Sequence, residues 1–128
     1  MKIYGFGTDL VNTNRIVVAF KRNKLFKERI FSTNEIKFCE KKKDKFNCYG
    51  KRFAAKEAFA KALGTGISKG LNFNEIEIFN NKLGKPYIKV KGKSLLAANK
   101  IFGKKKFNTL VSLSDQKPFA MASVIITI

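Results

Sequence analysis

The feature that most constrains the fold is an alanine-rich segment whose apolar side chains would surround a helix axis. Residues 53–63 read FAAKEAFAKAL and leave no broad polar face. A helix of this kind is packed on most sides, because a helix on the protein surface carries a polar stripe. We therefore predict a helix from about Phe46 to Leu63 that ends at Gly64, the residue type favoured after a helix C-terminus.

The remaining periodicities predict most helices in the first half of the chain and most strands in the second. Ser32 and Glu35 have the spacing of a capping box, which opens one of these helices. Further helices are expected at about 15–30, 32–43 and 94–102, and strands at about 2–11, 75–78, 87–90, 107–113 and 119–128. This order favours an α+β fold in which helices pack on an antiparallel sheet.

Length and composition are those of one globular domain. The chain has 128 residues, 45% of them hydrophobic, with two prolines and no low-complexity linker. A chain of this size buries roughly two-thirds of its unfolded surface, so we expect residues 1–128 to form a single domain. No apolar run reaches the roughly 18 to 20 residues that a membrane span needs, and the first residues do not resemble a secretory signal. We expect a soluble cytoplasmic protein.

The absence of histidine removes several catalytic and metal-binding chemistries. Ser-His-Asp triads, Cys-His pairs and His-ligated zinc all need a residue that the chain lacks. The only cysteines, Cys39 and Cys48, are too few for a Cys-rich metal site, and we expect two reduced, partly buried thiols. Chemistry must therefore come from carboxylates, lysines, hydroxyls, backbone amides or a bound hard metal ion.

The net charge predicts an anionic partner. Lys and Arg number 27 against 9 Asp and Glu, which gives a formal charge of +18. Such a field favours nucleic acid, an anionic membrane surface, an acidic protein or a phosphorylated cofactor. A small basic nucleic-acid-binding module is therefore an alternative function, and it predicts binding that weakens steeply with salt. The sequence disfavours this alternative because it contains no motif that reads RNA or DNA.

Asp9 and Glu57 are the unusual members of a small set of carboxylates. Asp9 lies at the end of a predicted strand that contains Gly5 and Gly7, two positions where another backbone can come close. Glu57 lies in the alanine-rich helix. If that strand packs along the helix, the two carboxylates can hold Mg²⁺, which proteins bind through one or two carboxylates plus substrate phosphates. Two plainer interpretations stay open: a turn or cap acid at position 9, and a surface pair between Glu57 and Lys61, one helical turn away.

Three arginines share one stripe of the first predicted helix. Arg15, Arg22 and Arg29 follow a heptad spacing, which drifts by only about 20° per step around a helix. A solvated basic face is the plain interpretation. A docking face for an acidic partner is the sharper one, because arginine is preferred for bidentate contacts with carboxylates.

Four ordered blocks of the sequence resemble one enzyme family. They are Gly5–Val11, Arg52–Ile67, Gly84–Pro86 and Val111–Ser114. Together they resemble the holo-acyl-carrier-protein synthases, the small 4'-phosphopantetheinyl transferases of fatty-acid synthesis. The resemblance implies Mg²⁺-dependent transfer of 4'-phosphopantetheine from coenzyme A to a serine of apo acyl carrier protein, with release of adenosine 3',5'-bisphosphate.

The resemblance also implies a role for individual residues. Asp9 and Glu57 correspond to metal ligands, and with Lys61 they form the implied catalytic set. The implied coenzyme A contacts are Arg52, Lys61, Gly84, Lys85, Pro86 and Ser112. The helix that carries Arg15, Arg22 and Arg29 corresponds to the one that meets the acidic carrier protein.

The family forms homotrimers with sites at subunit interfaces, so the resemblance implies a homotrimer for this chain.

This chain departs from the family's sequence pattern at two positions. Asp115 stands where many relatives have histidine, and Asn81 stands where aspartate is frequent. A negative Asp115 cannot donate a hydrogen bond to a phosphate as a histidinium does. The resemblance therefore does not imply that contact with coenzyme A for this chain, whereas it still implies the metal site.

Overall fold

A computed structural model describes all residues 1–128 and contains five strands and five helices. In chain order they are β1 (Ile3–Asn12), α1 (Thr13–Arg22), α2 (Phe26–Ile30), α3 (Thr33–Glu40), α4 (Lys45–Leu63), β2 (Ile76–Asn80), β3 (Pro86–Val90), α5 (Gly92–Phe102), β4 (Asn108–Gln116) and β5 (Phe119–Thr127). A 3-10 turn, Phe73–Glu75, precedes β2, and the capping box predicted at Ser32 and Glu35 opens α3. The predicted α+β fold is confirmed.

The strands form two antiparallel sheets rather than the single sheet that was predicted. One sheet has three strands in the order β1-β5-β4, and the other is the β2-β3 hairpin. The buried Ile76 and Ile78 belong to the hydrophobic core, and β2 packs against α3 and α4. The hairpin therefore lies beside the helices and does not extend the larger sheet.

Helix α4 occupies the centre of the molecule, as the alanine-rich segment predicted. It contacts β1, β5, α1, α3 and β2, and it ends at Gly64 in the left-handed conformation. Strand β1 packs directly on it: a side chain at Gly5 or Gly7 would collide with the backbone carbonyl oxygens of Ala62 or Ala58. Although α4 is 19 residues long, no helix in the chain is both long and apolar enough to cross a membrane.

A buried ion pair fixes α4 against α3 and β2. Lys56 and Glu35 are both fully buried, and their side chains meet at 2.7 Å. The Lys56 ammonium also donates to the backbone carbonyls of Phe73 at 2.8 Å and Ile76 at 2.5 Å. Glu35 in turn accepts from the Ile78 amide at 2.9 Å. The charges are thus satisfied by one another and by the backbone, which buried charges require.

The helix predicted over residues 15–30 is wrong as a continuous helix. It divides into α1 and α2, and Asn23 between them has an extended backbone with φ −134° and ψ 109°. The Asn23 side chain accepts a hydrogen bond from the Leu25 amide at 2.9 Å. Asparagine competes with the helix in this way, by offering the backbone a local side-chain partner.

The prediction of two free thiols is also wrong. Cys39 and Cys48 form a disulfide between the last turn of α3 and the first turn of α4, with Cα atoms 5.5 Å apart. The turn between the two helices brings their ends within the distance that a disulfide bridges. A count of cysteines carries no information about that distance.

Candidate active site

Asp9 and Glu57 converge in a cleft between β1 and α4. Asp9 lies on the same side of β1 as Gly7 and Val11, the side that faces α4. The cleft has a volume of about 310 Å³, and Arg15 and Phe53 also line it. The close approach of β1 to α4 at its glycines therefore brings together the two carboxylates that the sequence singled out.

Lys61 joins this cleft through Asp9. Its ammonium donates to the Asp9 carboxylate at 3.1 Å and to the Thr8 carbonyl at 3.0 Å. The side chain of Asp9 is 19% exposed and that of Lys61 is 53% exposed. The plain interpretation of Lys61 as the ion-pair partner of Glu57 is thus wrong, because its hydrogen bonds go to β1 and connect that strand to α4.

The carboxyl group of Glu57 is held in an unfavourable environment for its charge. Burial raises the pKa of Glu57, the negative charge of Asp9 raises it further, and Lys61 and Arg15 oppose these effects. No protein group donates a hydrogen bond that would stabilise the ionised Glu57 carboxylate. A cation beside both carboxylates would relieve this repulsion.

The donor set suits a hard divalent cation with open positions. Asp9 and Glu57 supply carboxylate oxygens, which Mg²⁺ prefers, whereas the chain has no group of three or more His, Cys, Asp or Glu side chains arranged for a metal. Two carboxylates leave most of an octahedral shell to water and substrate oxygens. The arrangement fits an ion that contacts phosphates.

Arg52 lies in a second, basic cleft on a different side of α4. This cleft measures about 300 Å³, and Lys42, Lys43 and Lys51 also line it. Five residues separate Arg52 from Glu57, which places their side chains about 140° apart around the helix axis. The chain therefore does not bring Arg52 together with Asp9 and Glu57.

The Arg52 guanidinium is buried and only partly satisfied. It donates to Asn80 at 2.6 Å and stacks over the ring of Phe38 at 4.3 Å, whereas its Nε has no partner. Burial lowers the pKa of Arg52, although Glu35 opposes the shift. An anion in the basic cleft would add the charge-assisted contacts that the guanidinium lacks.

The turn before β3 is attached to Arg52 through Asn80. The Asn80 amide donates to the Gly84 carbonyl at 2.9 Å, and Gly84 has φ +90°, a conformation that favours glycine. Lys85 and Pro86 follow directly and lead into β3. The structure thus brings Arg52, Gly84, Lys85 and Pro86 to one region.

Ser112 lies apart from both clefts. It is exposed on β4 and faces away from α4, opposite Ser123 of β5. Ser123 in turn lies 3.4 Å from the hydroxyl of Thr8. The three hydroxyls cross the open face of the sheet in a row.

Known proteins share this chain's sequence along nearly its full length. A profile of the 4'-phosphopantetheinyl transferase superfamily matches residues 5–123. The chain belongs to this family. It is 45% identical over 126 residues to a holo-[acyl-carrier-protein] synthase of Pelagibacter ubique, with 98% of each chain covered. The enzyme is thus a transferase of the holo-[acyl-carrier-protein] synthase type, and the comparisons give no support to the nucleic-acid-binding alternative.

Solved structures of the same family have the same fold. The holo-[acyl-carrier-protein] synthase of Neisseria meningitidis is 36% identical, with a TM-score of 0.85 and coverage of 98% of this chain and 99% of its own. That of Bacillus anthracis, solved in complex with CoA (3',5'-ADP), is 33% identical, with a TM-score of 0.79 and coverage of 98% and 97%. The α+β architecture is therefore that of the synthases.

Arg15 and Arg22 line a groove on the outer face of α1, but Arg29 does not. The groove measures about 490 Å³, and the half-exposed Val18 lies between the two arginines. Arg15 also lines the cleft of Asp9 and Glu57, so the groove and the cleft share a wall. The break after α1 places Arg29 on α2, and the predicted continuous stripe of three arginines is wrong.

Sequence reasoning missed several members of these sites. Three were missed because only their position gives them a role: the Thr8 carbonyl accepts from Lys61, Phe53 lines the cleft, and Asn80 accepts from Arg52. Asn47 was missed as well: it donates to Asp115 at 2.6 Å, and its own oxygen is buried without a partner. Only the one-turn spacing of Asn47 and Lys51 offered a signal for the basic cleft.

Proposed function

We propose that the enzyme transfers 4'-phosphopantetheine from coenzyme A to a serine hydroxyl of an apo acyl carrier protein. The holo carrier protein and adenosine 3',5'-bisphosphate are the products. The observation that carries this proposal is the convergence of Asp9 and Glu57 in one cleft, with Lys61 hydrogen-bonded to Asp9, in a chain from this family. We further propose that residues 1–128 form one transferase domain that acts in the cytoplasm.

Asp9 and Glu57 would hold Mg²⁺ in this reaction. Two converging carboxylates, one with a raised pKa caused by burial and by its neighbour's charge, support this assignment. The ion supplies charge neutralisation for the pyrophosphate of coenzyme A. Glu57 and Asp9 have no competing hydrogen-bond donor other than Lys61 that would occupy their oxygens.

Lys61 and Glu57 would act on the transferred phosphoryl group and on the proton. A bond forms between the serine oxygen and the phosphorus next to pantetheine, and the bond from that phosphorus to the leaving adenosine bisphosphate breaks. Lys61, half-exposed beside Asp9, offsets the negative charge that grows during this exchange. Glu57 would accept the serine proton, because its carboxylate lies in the cleft and no protein group donates a hydrogen bond to it.

Coenzyme A would contact residues that one chain keeps apart. We assign to it Arg52, Lys61, Gly84, Lys85, Pro86 and Ser112. Because Arg52 and Glu57 lie on different sides of α4, we propose a homotrimer in which neighbouring chains complete each site. The open face of the three-stranded sheet supports this, since Phe6, Leu10 and Leu110 are 62%, 61% and 57% exposed there.

The acidic carrier protein would dock on the groove of α1. Arg15 and Arg22 flank the exposed Val18, so an acidic helix with an apolar residue would find matching groups. Arg15 lines both the groove and the cleft, so a serine of the docked carrier protein would approach Glu57. Arg29, on α2, would extend the basic surface beyond the groove.

Mass spectrometry of the carrier protein tests the proposal. Purified enzyme is incubated with apo acyl carrier protein, coenzyme A and Mg²⁺, and the carrier mass is expected to rise by that of 4'-phosphopantetheine. A carrier whose acceptor serine is replaced by alanine is the control and should stay unmodified. A wild-type carrier that keeps its mass, with an enzyme that is folded, would refute the proposed activity.

A further inference from the structure

A third concave surface lies between α5 and the loop of residues 64–71, away from both clefts. This surface, which we call the α5 groove, has a volume of about 370 Å³. Small-molecule sites begin at about 300 Å³. The apolar residues of its lining are Leu63, Leu71, Leu96, Ala97 and Ile101. The groove shares no lining residue with the cleft of Asp9 and Glu57 or with the basic cleft.

Cations without partners surround this apolar surface. Lys69, Lys93 and Lys100 line the α5 groove, and no acidic side chain does. None of the three ammonium groups forms an ion pair, whereas seven ion pairs occur elsewhere in the chain. The charge that lines the groove is therefore positive, which favours an anionic ligand.

The loop that borders the groove has an unusual backbone conformation at Lys69. Lys69 is the only non-glycine residue with a positive φ, 52°, and it lies between Gly66 and Gly70 with φ of 65° and 93°. A Cβ atom added at Gly70 would lie 3.4 Å from that of Ala97, so the loop rests against α5. An unfavoured conformation at Lys69 places a cation at the edge of the groove.

Apolar side chains remain exposed beside these lysines. Leu96 is 64% exposed and Ile101 is 39% exposed, although both line the groove. An apolar ligand would bury them and gain free energy in proportion to the area removed from water. A polyanion alone would not use these residues, and a neutral apolar ligand would not use the three lysines.

We propose that the α5 groove binds a single-chain anionic amphiphile, with its alkyl chain between α5 and the loop and its carboxylate or phosphate head at Lys69, Lys93 and Lys100. The site is independent of the proposed transferase function. Its occupancy can be measured without coenzyme A or a carrier protein, so failure of one proposal leaves the other intact.

Isothermal titration with decanoate and decyl phosphate, both below micelle-forming concentrations, tests the proposal. We expect saturable binding of one molecule per chain, with affinity rising about threefold to fourfold for each added methylene. Decanol, which has the same chain without the charge, should bind about tenfold more weakly or worse. The preferred head group, carboxylate or phosphate, identifies whether the ligand resembles a fatty acid or a lipid phosphate.

Two variants and a matched control locate the site. Lys69→Gln, Lys93→Gln and Lys100→Gln together should weaken binding of the preferred probe about tenfold or more. The equal charge change Lys24→Gln, Lys41→Gln and Lys82→Gln, at exposed lysines outside the groove, should not.

The single variant Leu96→Glu, at an exposed position that folding tolerates, should abolish binding by placing a negative charge beside the lysines. Equal weakening in both triple variants would show only general charge attraction and would overturn the proposal. It would also be overturned if decanol bound as tightly as decanoate. A change of oligomeric state in Leu96→Glu, measured by analytical ultracentrifugation, would identify the groove as a contact between copies instead.

Discussion

Two lysines of α4, five residues apart, have partners of the same kind but lie in opposite environments. Lys56 is fully buried and donates hydrogen bonds to Glu35 and to two backbone carbonyls. The side chain of Lys61 is 53% exposed and contacts Asp9 and the Thr8 carbonyl. One lysine therefore connects elements in the core, and the other lies at a cleft.

The difference shows that environment, not identity, assigns the role of a charged residue. The buried pair is satisfied on all sides, and removing one partner would leave an isolated charge in the core. The contacts of Lys61 can exchange with water or with a ligand, because solvent reaches its ammonium. We therefore assign Lys56 to stability and Lys61 to chemistry, and the variants below test that division.

The largest effect is expected from the carboxylates beside Lys61. Asp9→Asn or Glu57→Gln should each lower turnover by about 10³-fold, because charge stabilisation of the reacting phosphates is lost. The mass shift of the carrier protein over time gives the rate. Glu28→Gln, an exposed acid outside the cleft, is the control and should be fully active. Near-normal turnover of either cleft variant, or of the wild type in excess EDTA, contradicts the metal assignment.

The next effect concerns the buried lysine. Lys56→Met should reduce the free energy of unfolding by about 3–5 kcal/mol, because it leaves Glu35 charged and buried without its partner. Urea denaturation measures this loss. Adding Glu35→Gln to Lys56→Met should restore part of the stability, since the isolated charge disappears. A loss below about 1 kcal/mol, as for an exposed pair, would mean that Lys56 does not support the core.

A moderate effect is expected at the groove of α1. Arg15→Glu or Arg22→Glu should raise the KM for the carrier protein about tenfold and flatten its salt dependence. Lys82→Glu makes the same charge change in the turn between β2 and β3 and serves as the control. If the carrier KM stays unchanged in the arginine variants, the groove is only a solvated basic face.

The smallest expected effect is the change in thermal stability caused by Glu57→Gln. The pKa of Glu57 is raised in the folded protein, so ionisation of this carboxyl costs stability at high pH and costs nothing at low pH. In metal-free buffer at neutral pH, Glu57→Gln should therefore raise the Tm slightly. The gain should vanish below about pH 4, where the unfolded glutamate is also protonated. A lower Tm for Glu57→Gln at neutral pH would show that the ionised carboxylate stabilises the fold.

Local patterns predicted the parts of the molecule that local chemistry determines. The capping box of Ser32 and Glu35, the C-cap at Gly64 and the packing of Gly5 and Gly7 are all present. Each depends on neighbours in sequence or on the small volume of glycine. Gly5 and Gly7 also indicated the position of the cleft. A strand that packs closely on a helix holds its next residues, here Asp9, close to that helix as well.

The rest depended on distances that a linear sequence does not contain. Asn23 interrupts a helical pattern through its own side chain, which a heptad count ignores. The Cys39–Cys48 disulfide depends on the distance of 5.5 Å to which the turn between α3 and α4 brings the two Cα atoms. Helix geometry alone predicts that Arg52 and Glu57 lie on different sides of α4. That they line two separate clefts depends on which elements pack on each side of the helix. The sequence alone could not show that one chain holds the proposed site in two parts.

The most direct test of the division between the two lysines is the kcat of Lys61→Met at saturating coenzyme A, measured beside its Tm. We expect kcat to fall about 10²-fold or more, far more than the affinity for coenzyme A weakens, with little change in the Tm, because the interaction is made chiefly in the transition state. Turnover within about threefold of the wild type corresponds to less than 1 kcal/mol in the barrier. That result would make Lys61 a structural residue like Lys56 and would contradict the account.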